Sequence, residues 1–239
     1  MGGKTASRLC AYCGAEATTR DHVVARCFLE SPFPDNLPTV PCCKKCNVEN
    51  SRDEEYFRVA LAQVGFHPLL QDKLNDHGIV TRSLERRPAL DERIVQSLSV
   101  GSDGRVYFAP EMDRLEAVSR KIAFGLFCHR YELARLPSIG DFRPVPLSHS
   151  EDAMNYVFVM AHTERFMPRR WTHLQRGVFS YMFVRNWVWS NFGRLVCIMK
   201  FYETLWAAVI CPWPSHRSRV RRRKHEEPGP NPTFFGSQP

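Results

Sequence analysis

The stretch "TTRDHVVARCFLESPFPDNLPTVPCCKKCN", Thr18–Asn47, puts an Asp-His pair, two separated asparagines and a Cys-x-x-Cys into one short run. Its closing pair, Cys43 and Cys46, is matched upstream by Cys10 and Cys13, again with two residues between. Two such knuckles flanking a compact loop are the ligand inventory of a closed tetrahedral thiolate site. Four soft sulfur donors favour zinc over a hard cation. Cys42 offers a second spacing to Cys46, but the two-residue gap of the first pair selects Cys43. Residues 7–51 are rich in Cys, Pro, Asn and charge and poor in apolar runs, so a structural metal is what would let them hold a shape.

The remaining composition narrows the setting. A chain of 239 residues is long enough for a packed core. Its net charge of +8 and pI near 9.1 make a polyanion the first partner to consider. The run His216–Lys224, "HRSRVRRRK", carries six formal positives and Glu226 and Glu227 return two, so about half of the net charge sits in this tail and the body is only mildly basic. The N-terminal "MGGKTASRLC" lacks the apolar centre of a signal peptide, and Ala6 stands where a myristoylation pattern requires Ser or Thr. The expected location is the cytoplasm, where nine thiols stay reduced and paired knuckles read as a metal site. Cys27, Cys128, Cys197 and Cys211 lie in apolar surroundings and read as ordinary buried thiols.

Beyond the knuckles, "RDEEYFRVALAQVGF" from Arg52 opens with acids suited to a helix start and repeats apolar residues at Phe57, Leu61 and Val64. Helical pieces follow from Pro68 to Arg93, broken near Gly78 and at Pro88. "SLSVGSDGRVYFAP" predicts two strands joined by the Gly101–Gly104 turn. A longer helix is expected along the stripe Leu115, Val118, Ile122, Leu126 and His129. From Asn155 to Cys211 the Val, Phe, Tyr and Trp content predicts an antiparallel meander. "LVCIMKFYETLWAAVICPW" is nearly long enough to span a membrane, but Lys200 and Glu203 in its middle favour a pair of buried strands. "RFMPRRWTHLQRGVFSYMFVRNWVW" reads first as sheet core with a solvated edge, and second as a nucleic-acid surface. The charged, Pro/Gly-rich end is expected to be disordered.

The order C-x-x-C, D-H, N-L, C-x-x-C-N resembles the HNH endonucleases of the ββα-metal, or treble-clef, class, over about residues 7–60. The resemblance implies an HNH nuclease module at 7–60; with the zinc read from the spacing of Cys10, Cys13, Cys43 and Cys46 and the patterns further along, the expected chain is α+β in three parts, the module, a mixed helical and antiparallel-sheet accessory domain at 66–211, and a basic tail at 212–239. It further implies that His22 is the general base, that Asp21 and Asn47, the latter on the first turn of a helix after the second knuckle, hold a catalytic Mg²⁺ or Mn²⁺, and that Asn36 orients the histidine. Lys44, Lys45 and Arg52 are the expected phosphate contacts; Asn50 stands where many relatives carry Lys or Arg.

The residue types suit that chemistry on their own account. A neutral imidazole, with an ordinary pKa of about 6.5, accepts a proton near neutral pH. A carboxylate with an amide oxygen suits a hard cation. Asp53, Glu54 and Glu55 have two readings, metal binding and a helix-dipole role, of which the dipole role is preferred; for Asn36 the alternative is turn-making beside Pro34 and Pro38. The function that the resemblance implies is hydrolysis of DNA phosphodiesters, leaving 5′-phosphate and 3′-hydroxyl ends, with duplex DNA the leading substrate and RNA left open. Two alternatives stand beside it: a zinc-dependent nucleic-acid-binding protein without catalysis, and a nuclease effector subunit of a defence or mobile-element complex, with a protein partner or a homodimer docking through the C-terminal domain.

Overall fold

The computed structural model describes residues 9–64, 68–72, 78–132, 137–145, 171–185, 195–203, 205–212 and 219–220. It is an α+β arrangement of helices and antiparallel sheets. No helix among these residues is long and apolar enough to cross a membrane.

The N-terminal part begins with a knuckle closed by backbone bonds from Cys10 N–H to the Ala15 carbonyl and from Gly14 N–H to that of Cys10. Gly14 has φ of 75°, a left-handed turn that its missing side chain permits. Strand β1, Thr19–His22, then pairs antiparallel with β2, Thr39–Cys42, in the register Thr19↔Cys42 to His22↔Thr39. Helix α1, Lys44–Val64, follows almost at once.

This helix starts eight residues before the expected Arg52. The acids do not initiate it; the residue just ahead of it, Cys43, accepts the Cys46 N–H through Sγ at 3.4 Å, the place an N-cap side chain takes. Asp53, Glu54 and Glu55 therefore lie in the helix interior, and the helix-dipole reading of them fails. Each has a cationic partner instead: Arg114 for Asp53 at 3.6 Å, Lys121 for Glu54, and Arg87 for Glu55 at 2.5 Å.

Pro68–Asp72 forms the short α2, and α3, Ile79–Arg86, and α4, Pro88–Gln96, follow. Pro88 both ends one helix and opens the next, since its missing N–H is needed at neither place. Val80, Leu90 and Ile94 from α3 and α4 pack on Tyr56, Val59 and Ala60 of α1. The hairpin β3, Leu98–Val100, and β4, Val106–Phe108, pairs as the Gly101–Gly104 turn predicts.

Helix α5, Met112–Arg130, is buried nearly all round between Val118 and Phe127, so the apolar stripe understates its burial. Beyond it come the short β5, Tyr131–Glu132, and β6, Arg143–Pro144, then β7, Thr172–Gln175, β8, Phe179–Arg185, β9, Leu195–Phe201, and β10, Leu205–Cys211. The last five of these elements without β5 form one antiparallel sheet in the order β6-β10-β9-β8-β7. The pair β9 and β10 is the expected pair of buried strands. Period-2 alternation turns Phe183, Cys197, Met199, Phe201 and Val209 towards α5 and leaves Met182, Val196, Ile198 and Ala208 on the other face. The first part of the expected meander, Asn155 to Arg170, and nearly all of the tail lie outside the described residues.

The β1–β2–α1 unit and the sheet share one apolar cluster. Phe28 and Phe57 from the N-terminal part meet Phe201 of β9 with ring centroids at 6.1 and 5.3 Å. Tyr202, with φ of 48°, turns its ring inward and shares its one hydroxyl proton between Glu30 Oε1 at 2.8 Å and the Phe28 carbonyl at 3.1 Å. Gly125 of α5 lets the segment after His22 come close, because a Cβ there would lie 2.7 Å from both Val23 methyl carbons.

Candidate functional site

The sulfurs of Cys10, Cys13, Cys43 and Cys46 all lie within 4.8 Å of one another, close enough to hold one metal ion, and Cys13 and Cys43 are 3.7 Å apart. Four thiol donors in a closed cluster are a set compatible with structural zinc. Burial works against ionising Cys10, but the backbone N–H groups of Cys43, Cys13 and Tyr12 outweigh it and bring the thiol down to about 6. Cys46 is pushed well up by burial and by its bonds to Cys13 and Cys43. An ion bound to the cluster would relieve that penalty by taking the proton's place. Cys42 is excluded as the fourth ligand: it is fully buried on the inward side of β2, its thiol donates to the Cys43 carbonyl, and burial pushes it up to about 12. The choice of Cys43 from spacing is thus matched by the geometry.

The two strands present two chemically different faces. Thr19 and Asp21 of β1, with Val40 and Cys42 of β2, look towards α1 and α5; Arg20, His22, Thr39 and Pro41 look the other way. Arg20 confirms the outward face by donating through Nε and Nη2 to Thr39 Oγ1 at 2.9 and 2.6 Å, the residue directly opposite His22. His22 is half-buried there at the strand end. Its imidazole is held below the ordinary range by burial first, then by the nearby charges of Arg26 and Lys121, with Asp21 pulling the other way. A neutral ring at physiological pH is the form that accepts a proton.

Asp21 is placed quite differently. It is 6% exposed, accepts the Tyr12 hydroxyl at 2.6 Å, and pairs with Lys121 Nζ at 2.8 Å. The Lys121 ammonium also meets Glu54 and donates to the His22 backbone carbonyl at 2.9 Å. Burial raises the Glu54 carboxyl, partly offset by Lys121. Asn47 sits on the first turn of α1, half-buried, with its amide 3.5 Å from Thr19 Oγ1. Asn36 is exposed in the turn before β2, and among the described residues no hydrogen bond joins it to His22. The structure thus brings Asn47 to the Asp21 side of β1, and sends His22 to the other.

Lys44 and Lys45 are exposed at the start of α1. Asn47, Val48, Ser51, Arg52 and Arg87 line a cleft along the same helix. Arg20, Arg26, Tyr12, Lys121 and Arg87 escaped the sequence reading. A lysine three residues after Val118 on an apolar stripe was the available signal for Lys121; Tyr12 and Arg26 carried none, because their contacts depend on the fold. No protein-family model matches the chain, and no curated protein or solved structure matches it either.

Proposed function

We propose that the chain acts on nucleic acid as an HNH-type endonuclease, with zinc in the four-cysteine cluster as a structural staple and His22 as the general base. The observation that carries the reading is the placement of a half-open imidazole, held neutral, at the end of a strand whose outer face also carries Arg20 and lies beside Arg26. A treble-clef ββα frame is supported by the sequence of knuckle, antiparallel pair, second knuckle and helix.

The reaction requires a water oxygen to bond to phosphorus while the bond from phosphorus to the 3′-oxygen breaks. His22 takes the proton released by the water. Guanidinium groups near the ring would bind the phosphate oxygens and favour the charge that builds on them, since their paired donors match that shape. The leaving 3′-oxygen takes up a proton, giving a 3′-hydroxyl and a 5′-phosphate. Lys44, Lys45 and Arg52, on or beside the cleft along α1, suit contacts to the backbone of duplex DNA away from the scissile bond.

The expected Mg²⁺ or Mn²⁺ on Asp21 and Asn47 does not fit the donors as they stand. A hard cation needs several oxygens and retained waters around it, whereas Asp21 is buried and already satisfied by an ammonium and a phenol. The same observation favours the second reading, a zinc-stapled module that binds nucleic acid without cutting it.

Supercoiled plasmid nicking separates the two. His22→Ala should abolish nicking, keep a full complement of zinc and leave DNA affinity within about twofold if the endonuclease reading is right. Nicking that survives the substitution refutes His22 as base, and a wild-type protein that binds but never nicks, with or without added divalent ions, establishes the binding module.

A further inference from the structure

We infer that Lys121 is the resident cation of this module: its ammonium occupies the oxygen donors that a dissociable divalent ion would use, so Asp21 is a partner of Lys121 and not a metal ligand. Lys121 is then a positioning residue, holding the β1 end that carries His22 from a helix a hundred residues further along the chain. The inference concerns what neutralises Asp21, and it stands whether or not the module cuts nucleic acid.

The donor count supports it. An ammonium has three N–H donors, and Lys121 Nζ has three oxygen partners: Asp21 Oδ2 at 2.8 Å, the His22 carbonyl at 2.9 Å, and Glu54 Oε1. Two carboxylates and a backbone carbonyl around one point are the oxygen ligands a hard divalent ion seeks. All three charged side chains are at most 8% exposed, which leaves no room for the waters such an ion retains. Tyr12 contributes its hydroxyl to the same Asp21 oxygen at 2.6 Å. A second cation on Asp21 would meet the ammonium across a few ångströms of low-dielectric interior, where like charges repel strongly. The position of Lys121 is itself fixed, since Ser119, Ile122, Ala123 and Phe124 beside it on α5 are buried. Removing the ammonium therefore leaves an oxygen-lined vacancy with two negative charges in it.

Mn²⁺ serves as the probe, on the full chain with its cysteine cluster zinc-loaded and with no nucleic acid present. Free Mn²⁺ is followed by electron paramagnetic resonance. The expected isotherms of the wild type and of Asp21→Asn superpose. Lys121→Gln should gain a site at least tenfold tighter than any in the wild type, and Lys121→Gln with Glu54→Gln should lose it again. A wild-type Mn²⁺ site that Asp21→Asn removes would overturn the inference, as would a folded Lys121→Gln that gains none. Should Lys121→Gln fail to fold, the wild type decides with Asp21→Asn: Mn²⁺ is expected to leave the ring proton signals of Tyr12, whose hydroxyl touches Asp21, sharp, and selective broadening of them that Asp21→Asn abolishes would place the ion beside Asp21 and sink the idea.

Discussion

Gly125→Ala tests whether α5 really fixes the strand end that carries His22. The added Cβ would lie 2.7 Å from Val23 Cγ1 and Cγ2 and 3.1 Å from Val23 Cβ. Carbon atoms prefer about 3.5–4.0 Å, so α5 and the Val23 backbone must separate by roughly 1 Å in a core where Val23 is fully buried. Overpacking of this kind costs about 1–3 kcal/mol. Replacing Gly by Ala inside a helix returns about 1 kcal/mol of propensity. The obstacle includes a β-carbon and is not the tip of a flexible side chain, which puts the cost near the top of its range and the net loss at about 1–2 kcal/mol. In a chain of this size that lowers Tm by roughly 2–8 °C. Val23→Ala alone should also destabilise, by about 2 kcal/mol, through lost burial and the cavity left behind. In the double variant the new methyl fills the space the old ones vacated, so calorimetry of the four proteins should show a favourable coupling of about 1 kcal/mol or more. Additive losses, or a single Gly125→Ala more stable than the parent, would refute the close approach and with it the claim that α5 seats the His22 strand.

Two further outcomes follow from the site. Cys43→Ser should remove most of the bound zinc measured by mass spectrometry and loosen the start of α1, while Cys42→Ser keeps it; equal losses in both would contradict the assignment of the fourth ligand. The His22 ring, followed by NMR, should titrate below the ordinary value of about 6.5. Because its folded pKa is the lower one, the unfolded chain binds more protons in the window below about 6.5, so this group's contribution to stability is full above that window and is lost as pH falls through the folded value. Arg26→Ala should move the midpoint up, and any nicking rate should rise with pH across the same midpoint; a wild-type midpoint above about 6.5 would contradict the burial argument.

Signals confined to a few neighbouring residues were readable from the letters, because the physics behind them is local. The knuckle spacing, the Gly101–Gly104 turn, Pro88 as a helix boundary and the β9–β10 pair all depend on torsions or ligand spacing within a short window. The acids at Asp53–Glu55 misplace the α1 start, whereas the family resemblance sets Asn47 on its first turn, because the cap is a sulfur: Cys43 accepts the Cys46 N–H, and no propensity table counts cysteine as an N-cap. The acids further along, which looked like dipole partners, are explained by Arg114, Lys121 and Arg87, none adjacent in sequence.

The Asp21–His22 pair shows why adjacency in sequence is a poor guide to a shared site. Successive residues of a strand point to opposite faces, so a motif read as one constellation is divided by β1 into a half-open histidine between arginines and a buried carboxylate under a lysine. A single strand can unite such neighbours only if its end bends or if a third group bridges them. Here the bridge is Lys121, which holds the Asp21 side chain and the His22 carbonyl with one ammonium. The charges on the inner face thus reach the imidazole on the outer face through the backbone that Lys121 anchors, while burial and Arg26, more than the opposed fields of Asp21 and Lys121, lower its proton affinity.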